Sequence, residues 1–191
     1  MTLNPTIARM KRWLIFVGVA VTVWLWSHQR GGVVATTLAD GGLEYPGYHI
    51  NALENYEIDA RVLSRHDYRD DREAALAPTD LALGWGSMAD EGVLASIEVS
   101  QNHRWYFWRA AKLPIPAREI EHHSANVHII AASTAAANAL ARVKPHDRVR
   151  VAGKLVDVHA DDGWHWRSSL SRTDTGASAC ELLWLERLEI L

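Results

Sequence analysis

The chain has 191 residues, 20 basic and 23 acidic, and its single cysteine, Cys180, excludes an intrachain disulfide. Four of the basic residues stand at or before Arg30 and every acidic one follows it, leaving 16 basic against 23 acidic beyond that point, a formal charge of about −7. A binder of phosphate backbones needs a positive surface, so this balance argues against nucleic acid as a partner.

The first element is the run Trp13 to Trp26, WLIFVGVAVTVWLW, which carries no charge. Arg9, Lys11 and Arg12 precede it, His28 and Arg30 follow, and tryptophans stand at both ends, where amphipathic rings favour the membrane–water boundary. As a helix the run spans about 21 Å, short of a hydrocarbon core of about 30 Å. It predicts an uncleaved anchor, with Lys11 and Arg12 snorkelling and local bilayer thinning covering the mismatch. A cleaved secretory signal and a buried core helix are the competing assignments. The nearest small-x-small sites, around Ala35 and Thr37, lie behind a polar stretch, and the run is apolar all round. The excess of basic residues before the run predicts an amino terminus in the cytoplasm. The expected organisation is a cytoplasmic segment at 1–12, a transmembrane anchor and flank at 13–30, a spacer at 31–47, and an extracytoplasmic β-rich domain at 48–191. The expected location is the bacterial inner membrane, with the domain in the periplasm.

Beyond Gly47, Tyr56, Ile58, Ala60 and Val62 alternate with charged residues, the two-residue period of a half-buried strand. A charged turn follows, then an irregular section, LAPTDLALGWGSM, and a short helix over Asp90 to Ile97. Glu98 to Trp108 reads as one strand ending in RWYFW. Ala125 to Ala131 predicts another strand, and Ser133 or Thr134 caps a helix through Val143 that stops before Pro145. Asp147 to His159 and Trp164 to Ser171 predict a hairpin across Asp161-Asp162-Gly163. Val149 and Val151 share one parity and Val156 and Val158 the other, which predicts a bulge at Gly153. Cys180 to Ile190 completes the sheet. The expected fold is mainly β (α+β): a small curled sheet or OB-like partly open barrel with short helices.

The charge-V-x-V-x-G-x-L-V pattern around Gly153 resembles a strand of an OB-fold barrel. PTDLALGWGSM, SANVHIIAAS and GWHWRSSLSRTDTGASACEL together resemble a family of uncharacterised bacterial single-pass membrane proteins, the third segment most specifically. The resemblance implies an anchored envelope domain and no particular catalysis.

The chemical candidates are scattered. Asp174-Thr175-Gly176 resembles the active-site loop of retroviral-type aspartic proteases. Polar Arg172 and Thr173 stand where that family has apolar strand residues, and only fifteen residues follow Gly176. His122, His123 and His128 are the alternative metal set, without HExxH, HxH or CxxC spacing. Cys180 and the pair Ser168-Ser169 lie in no recognisable nucleophile motif. Six tryptophans lie beyond the anchor, and Trp105 with Phe107 should face opposite to Tyr106 with Trp108. Arg104, Trp105, Trp108, Trp164, Trp166, Arg167, Arg172 and Asp174 are therefore the candidate binding residues, since tryptophan and arginine carry much of the energy at interfaces. The expected function is binding, or assembly of an envelope protein complex, by a membrane-anchored domain without a cofactor. The alternative is an anchored hydrolase or a metal-binding protein using the histidine region or the DTG loop.

Overall fold

The computed structural model describes residues 36–37, 43–174 and 179–191. The run Trp13 to Trp26, read above as an anchor, and the TGAS portion of the DTGAS loop fall outside the described residues. Among the described residues no helix is long and apolar enough to cross a membrane.

The unit running from Val34 to Leu191 is mainly β. Its strands are β1 (Thr36–Thr37), β2 (Leu43–Tyr45), β3 (Tyr48–Asp67), β4 (Thr79–Gly84), β5 (Glu98–Asn102), β6 (Trp105–Arg109), β7 (Ser124–Ala131), β8 (Arg148–Ala160), β9 (His165–Arg167) and β10 (Glu181–Ile190). The short helices are α1 (Glu91–Leu94), α2 (Ala117–His122) and α3 (Thr134–Leu140). The sheet begins inside the segment read as a spacer, because β2 pairs antiparallel with the start of β3. Asp90 caps α1 by accepting from Val93 N, and Ser133 caps α3 by accepting from Ala136 N. Beyond Leu140 the backbone tightens into three-residue bonds from Arg142 N and Val143 N, so the predicted helix ends as a 3₁₀ turn.

The 20-residue β3 organises the fold. Its stretch from Tyr48 to Arg61 pairs with β8 and that from Arg61 to Asp67 with β4, so the order β3–β4–β7–β10–β8 returns to β3 and the sheet partly closes on itself. All these ladders are antiparallel except β7–β10. Tyr56, Ile58, Ala60 and Val62 line the interior as their alternation predicts, together with Leu81, Leu83, Val127, Ile129, Val149, Val151, Leu183 and Leu185. Each fully buried aliphatic side chain there stabilises the fold by roughly 1.5–3 kcal/mol relative to exposure.

The expected bulge at Gly153 lies instead on the strands flanking it. The register slips between Ala52 and Glu54 on β3 and between Leu185 and Arg187 on β10, while β8 runs through both ladders without an extra residue. The apparent parity change arises because β8 is buried on both faces: Val149, Val151 and Leu155 point into the barrel, and Val156 and Val158 into a second core outside it. Gly153 meets a different requirement, since a Cβ there would collide with the Trp184 carbonyl oxygen.

The segment Glu98 to Trp108 is two strands. His103 and Arg104 form the connection with φ of 49° and 68°, the positive values that a type I′ hairpin needs at both central residues. Non-glycine residues hold this conformation only where the surroundings determine it strongly. Here Arg104 N donates to the Tyr68 hydroxyl at 3.0 Å, and the guanidinium grips Asp71 and Asp80. A third core under this hairpin joins Leu63, Ala82, Met88, Ile97 and Ile120 to Tyr106 and Trp108.

Candidate functional site

Glu181 opens β10, and its parity with Leu183 and Leu185 turns it toward the barrel interior. It is 2% exposed, its Oε2 has no hydrogen-bond partner among the described residues, and neither has the nearby buried Tyr56 hydroxyl. Burial pushes the Glu181 carboxyl up to about 8, with the Asp174 carboxylate adding to the rise and Arg172 opposing it. At neutral pH the group is therefore mostly a neutral acid, able to donate one hydrogen bond. Burial likewise raises Tyr56, with the Glu181 charge adding to it. Arg172 lies over the Tyr56 ring at 4.9 Å and near Trp85 at 6.0 Å.

Glu181 opens onto a cavity of about 340 Å³ between β6, the start of β7 and the segment before β10. Such a volume suits a small ligand or one side chain of a partner. All four aromatics of β6 line the cavity: Trp105 and Phe107 are 42% and 54% exposed, while Tyr106 and Trp108, on the opposite parity, also pack against the third core. Tyr106 bonds with Ser124 Oγ at 3.1 Å, tying the hairpin to β7. Asp174 lines the same cavity and accepts from Ser169 Oγ at 2.7 Å. The site thus combines exposed aromatic surface with three carboxyl groups, Glu121, Asp174 and Glu181, and the guanidinium of Arg172.

The candidate binding residues divide among four places. Trp105, Trp108, Arg172 and Asp174 line the cavity. Arg104 stands behind it and secures the hairpin: its guanidinium reaches Asp71 at 2.6 Å, Asp80 at 2.9 Å and the Ala77 carbonyl at 2.8 Å. Asn126 donates to Asp80 and to the Arg104 carbonyl, and Gln101 donates to Asn126, which completes a buried polar strut. Trp164 and Trp166 pack over the second core with Tyr45 and Tyr48, away from the cavity. Arg167 donates to Asp157 at 2.7 Å.

The alternative metal residues are not gathered into a ligand set. His128 is buried against Trp166, with Nδ1 2.9 Å from Asp80 Oδ1 but out of line for a hydrogen bond. His123 meets Ser87 Oγ at 2.7 Å, and His122 ends α2. The serine pair has structural employment: Ser168 Oγ accepts from Leu182 N and donates to the Ser169 carbonyl. Burial, then the charge of Glu181, pushes the Cys180 thiol up to about 12, opposite to the shift that activates a nucleophile.

Glu181 itself was missing from the sequence candidates. The signal was present, because a lone carboxylate interrupts the apolar half-strand CELLWL, where an acid is expensive unless it serves a purpose. The chain matches no model of a known protein family and no curated protein. What the site can do therefore rests on its own residues.

Proposed function

We propose that the chain is a membrane-anchored, extracytoplasmic binding module that helps assemble an envelope protein complex, with the Glu181 cavity as its binding site. The observation that carries this reading is a buried carboxyl group, one of whose oxygens has no hydrogen-bond partner among the described residues, in the wall of a cavity that exposed Trp105 and Phe107 also line. Ligand atoms able to accept from Glu181 would complete its hydrogen bonding, and the aromatic rim would supply apolar area. The plan of the barrel supports the choice. Counting barrel strands alone, β3, β4, β7, β8 and β10 follow the five-stranded OB-like order, whose ligands lie on the face of the second and third strands and near the loop between the fourth and fifth. The cavity draws residues from the third strand, β7, and from that fourth-to-fifth connection. The amino-terminal run, with basic residues ahead of it and an acidic domain behind, supports a single-pass protein with its domain in the periplasm, the organisation that the bacterial single-pass family resemblance implies.

The test is photo-crosslinking in native membranes from a photoreactive amino acid at position 107, compared with one at position 189 on β10. A discrete adduct at 107, lost when Glu181→Ala is added to a chain that still folds, is the expected result. Equal adducts at both positions, or insensitivity to Glu181, would reject this surface.

A second reading, an anchored hydrolase, is favoured by one observation: Asp174 and Glu181 line the same concave site. Glu181 would act as general acid and Asp174 as base. Glu181→Gln would then abolish turnover of a hydrolysable substrate while leaving its binding intact.

A further inference from the structure

The sheet extension formed by β3, β8 and β9 has one face on the second core and the other open to solvent. On the open side, Asp157 and His159 share a face of β8, two residues apart, and His165 is the registered partner of His159 on β9. His49 on β3 registers with His159 from the other side, so histidines form a row across three strands. The imidazoles of His159 and His165 stack with centroids 4.4 Å apart and planes inclined by 21°. His165 Nε2 lies 2.5 Å from Asp157 Oδ1, and His159 Nε2 lies 3.5 Å from Asp157 Oδ2. Donor atoms of all three side chains fall within 4.8 Å of one another.

We infer that Asp157, His159 and His165 form a binding site for one first-row transition-metal dication of the Zn²⁺ type. Two imidazoles and one carboxylate make a nitrogen-rich set that suits such ions and disfavours Mg²⁺ and Ca²⁺, which prefer oxygen ligands. Zinc bonds of about 2.0–2.1 Å put tetrahedral ligands roughly 3.3 Å apart, so Asp157 and His165 must open slightly, while the 3.5 Å between Asp157 and His159 is already close to that spacing. The strands fix the backbone, and only side-chain torsions need adjust. Arg167 donates to Asp157 Oδ2 at 2.7 Å, which orients the carboxylate and leaves Oδ1 beside His165, as an outer partner does around a metal. Behind the site Val156, Val158, Trp164 and Trp166 are packed in the second core, so the ligand-bearing strands rest on a firm base. His49 is turned toward Asp161, 3.3 Å away, and His159 and His165 are each about half exposed, so solvent can supply the remaining ligand.

This site is independent of the Glu181 cavity and is distinct from the His122, His123 and His128 region. The test is calorimetric titration of the untagged full-length chain in detergent with ZnCl₂ at neutral pH, with MgCl₂ and CaCl₂ as comparisons. The expected result is saturable binding of one Zn²⁺ per chain and none of the alkaline-earth ions. His159→Ala and His165→Ala should each weaken Zn²⁺ binding by about tenfold or more. Both histidines are about half exposed, so these variants should retain the parent's circular dichroism, and His122→Ala should bind as the parent does. Absence of saturable binding, or binding that survives both His159→Ala and His165→Ala, would overturn the assignment.

Discussion

Glu181 shows how one buried carboxyl group ties stability to function. Its pKa rises from an ordinary 4.5 to about 8 because the folded barrel strips water from the charged form. The folded state therefore binds the proton more tightly than the unfolded chain does. The stabilisation linked to it is complete below pH of about 4.5 and is lost as pH rises through about 8. Other carboxylates contribute with the opposite sign at lower pH: Asp71, for instance, is held below its usual range by its hydrogen bond from Arg104. The informative quantity is hence the difference between the parent and Glu181→Gln. The variant should gain on the parent steadily between pH of about 4.5 and 8, by a few kcal/mol in all. Thermal denaturation of both proteins at stepped pH checks this, and parallel curves would refute it.

At the scale of the element, the β5–β6 hairpin is the piece that turns a bare barrel face into a cavity. Its turn has no glycine, and it is held by the contacts of Arg104. Asp80 is 0% exposed, so removing its guanidinium partner leaves a buried carboxylate whose remaining hydrogen bond among the described residues comes from Asn126, with His128 nearby but misaligned. Breaking such a pair costs about 3–5 kcal/mol, whereas a half-exposed pair is worth about 1 kcal/mol or less. Arg104→Ala should accordingly destabilise the protein by roughly 3 kcal/mol in urea unfolding. Removing the exposed Arg109–Glu98 pair on the same hairpin should change little. Equal effects from the two would mean that the hairpin is held by its apolar contacts and not by the buried arginine.

At the scale of the molecule, the unit from Val34 to Leu191 contains a closed circuit of strands and three apolar cores. It should fold without residues 1–33. A chain beginning at Val34 should be recovered in the soluble fraction with a cooperative thermal transition. The full chain should remain in the membrane fraction after alkaline carbonate extraction. Release of the full chain by carbonate would count against an uncleaved anchor.

Local pattern made much of this protein legible. The period-two alternation of Tyr56 to Val62, the Gly163 turn with its φ of 88°, the Ser133 cap and the opposed faces of Trp105 and Tyr106 all follow from neighbours in the chain. Two features misled at that range. His103 and Arg104 do not look like turn residues, because what holds them there is Tyr68, Asp71 and Asp80, more than twenty positions away. Gly153 looked like a bulge, although its constraint is the carbonyl of Trp184 on another strand. Sequence alone determined the unit's β-rich character and the acidic balance of the part beyond Arg30, since periodicity and charge are properties of short stretches. Only the tertiary structure decided the cavity and the histidine row. Trp105 and Glu181, like His49 and His159, come together because strands distant in the chain pair, and no local spacing records which strands those are, whereas Asp157 and His165 meet across the short β8–β9 hairpin.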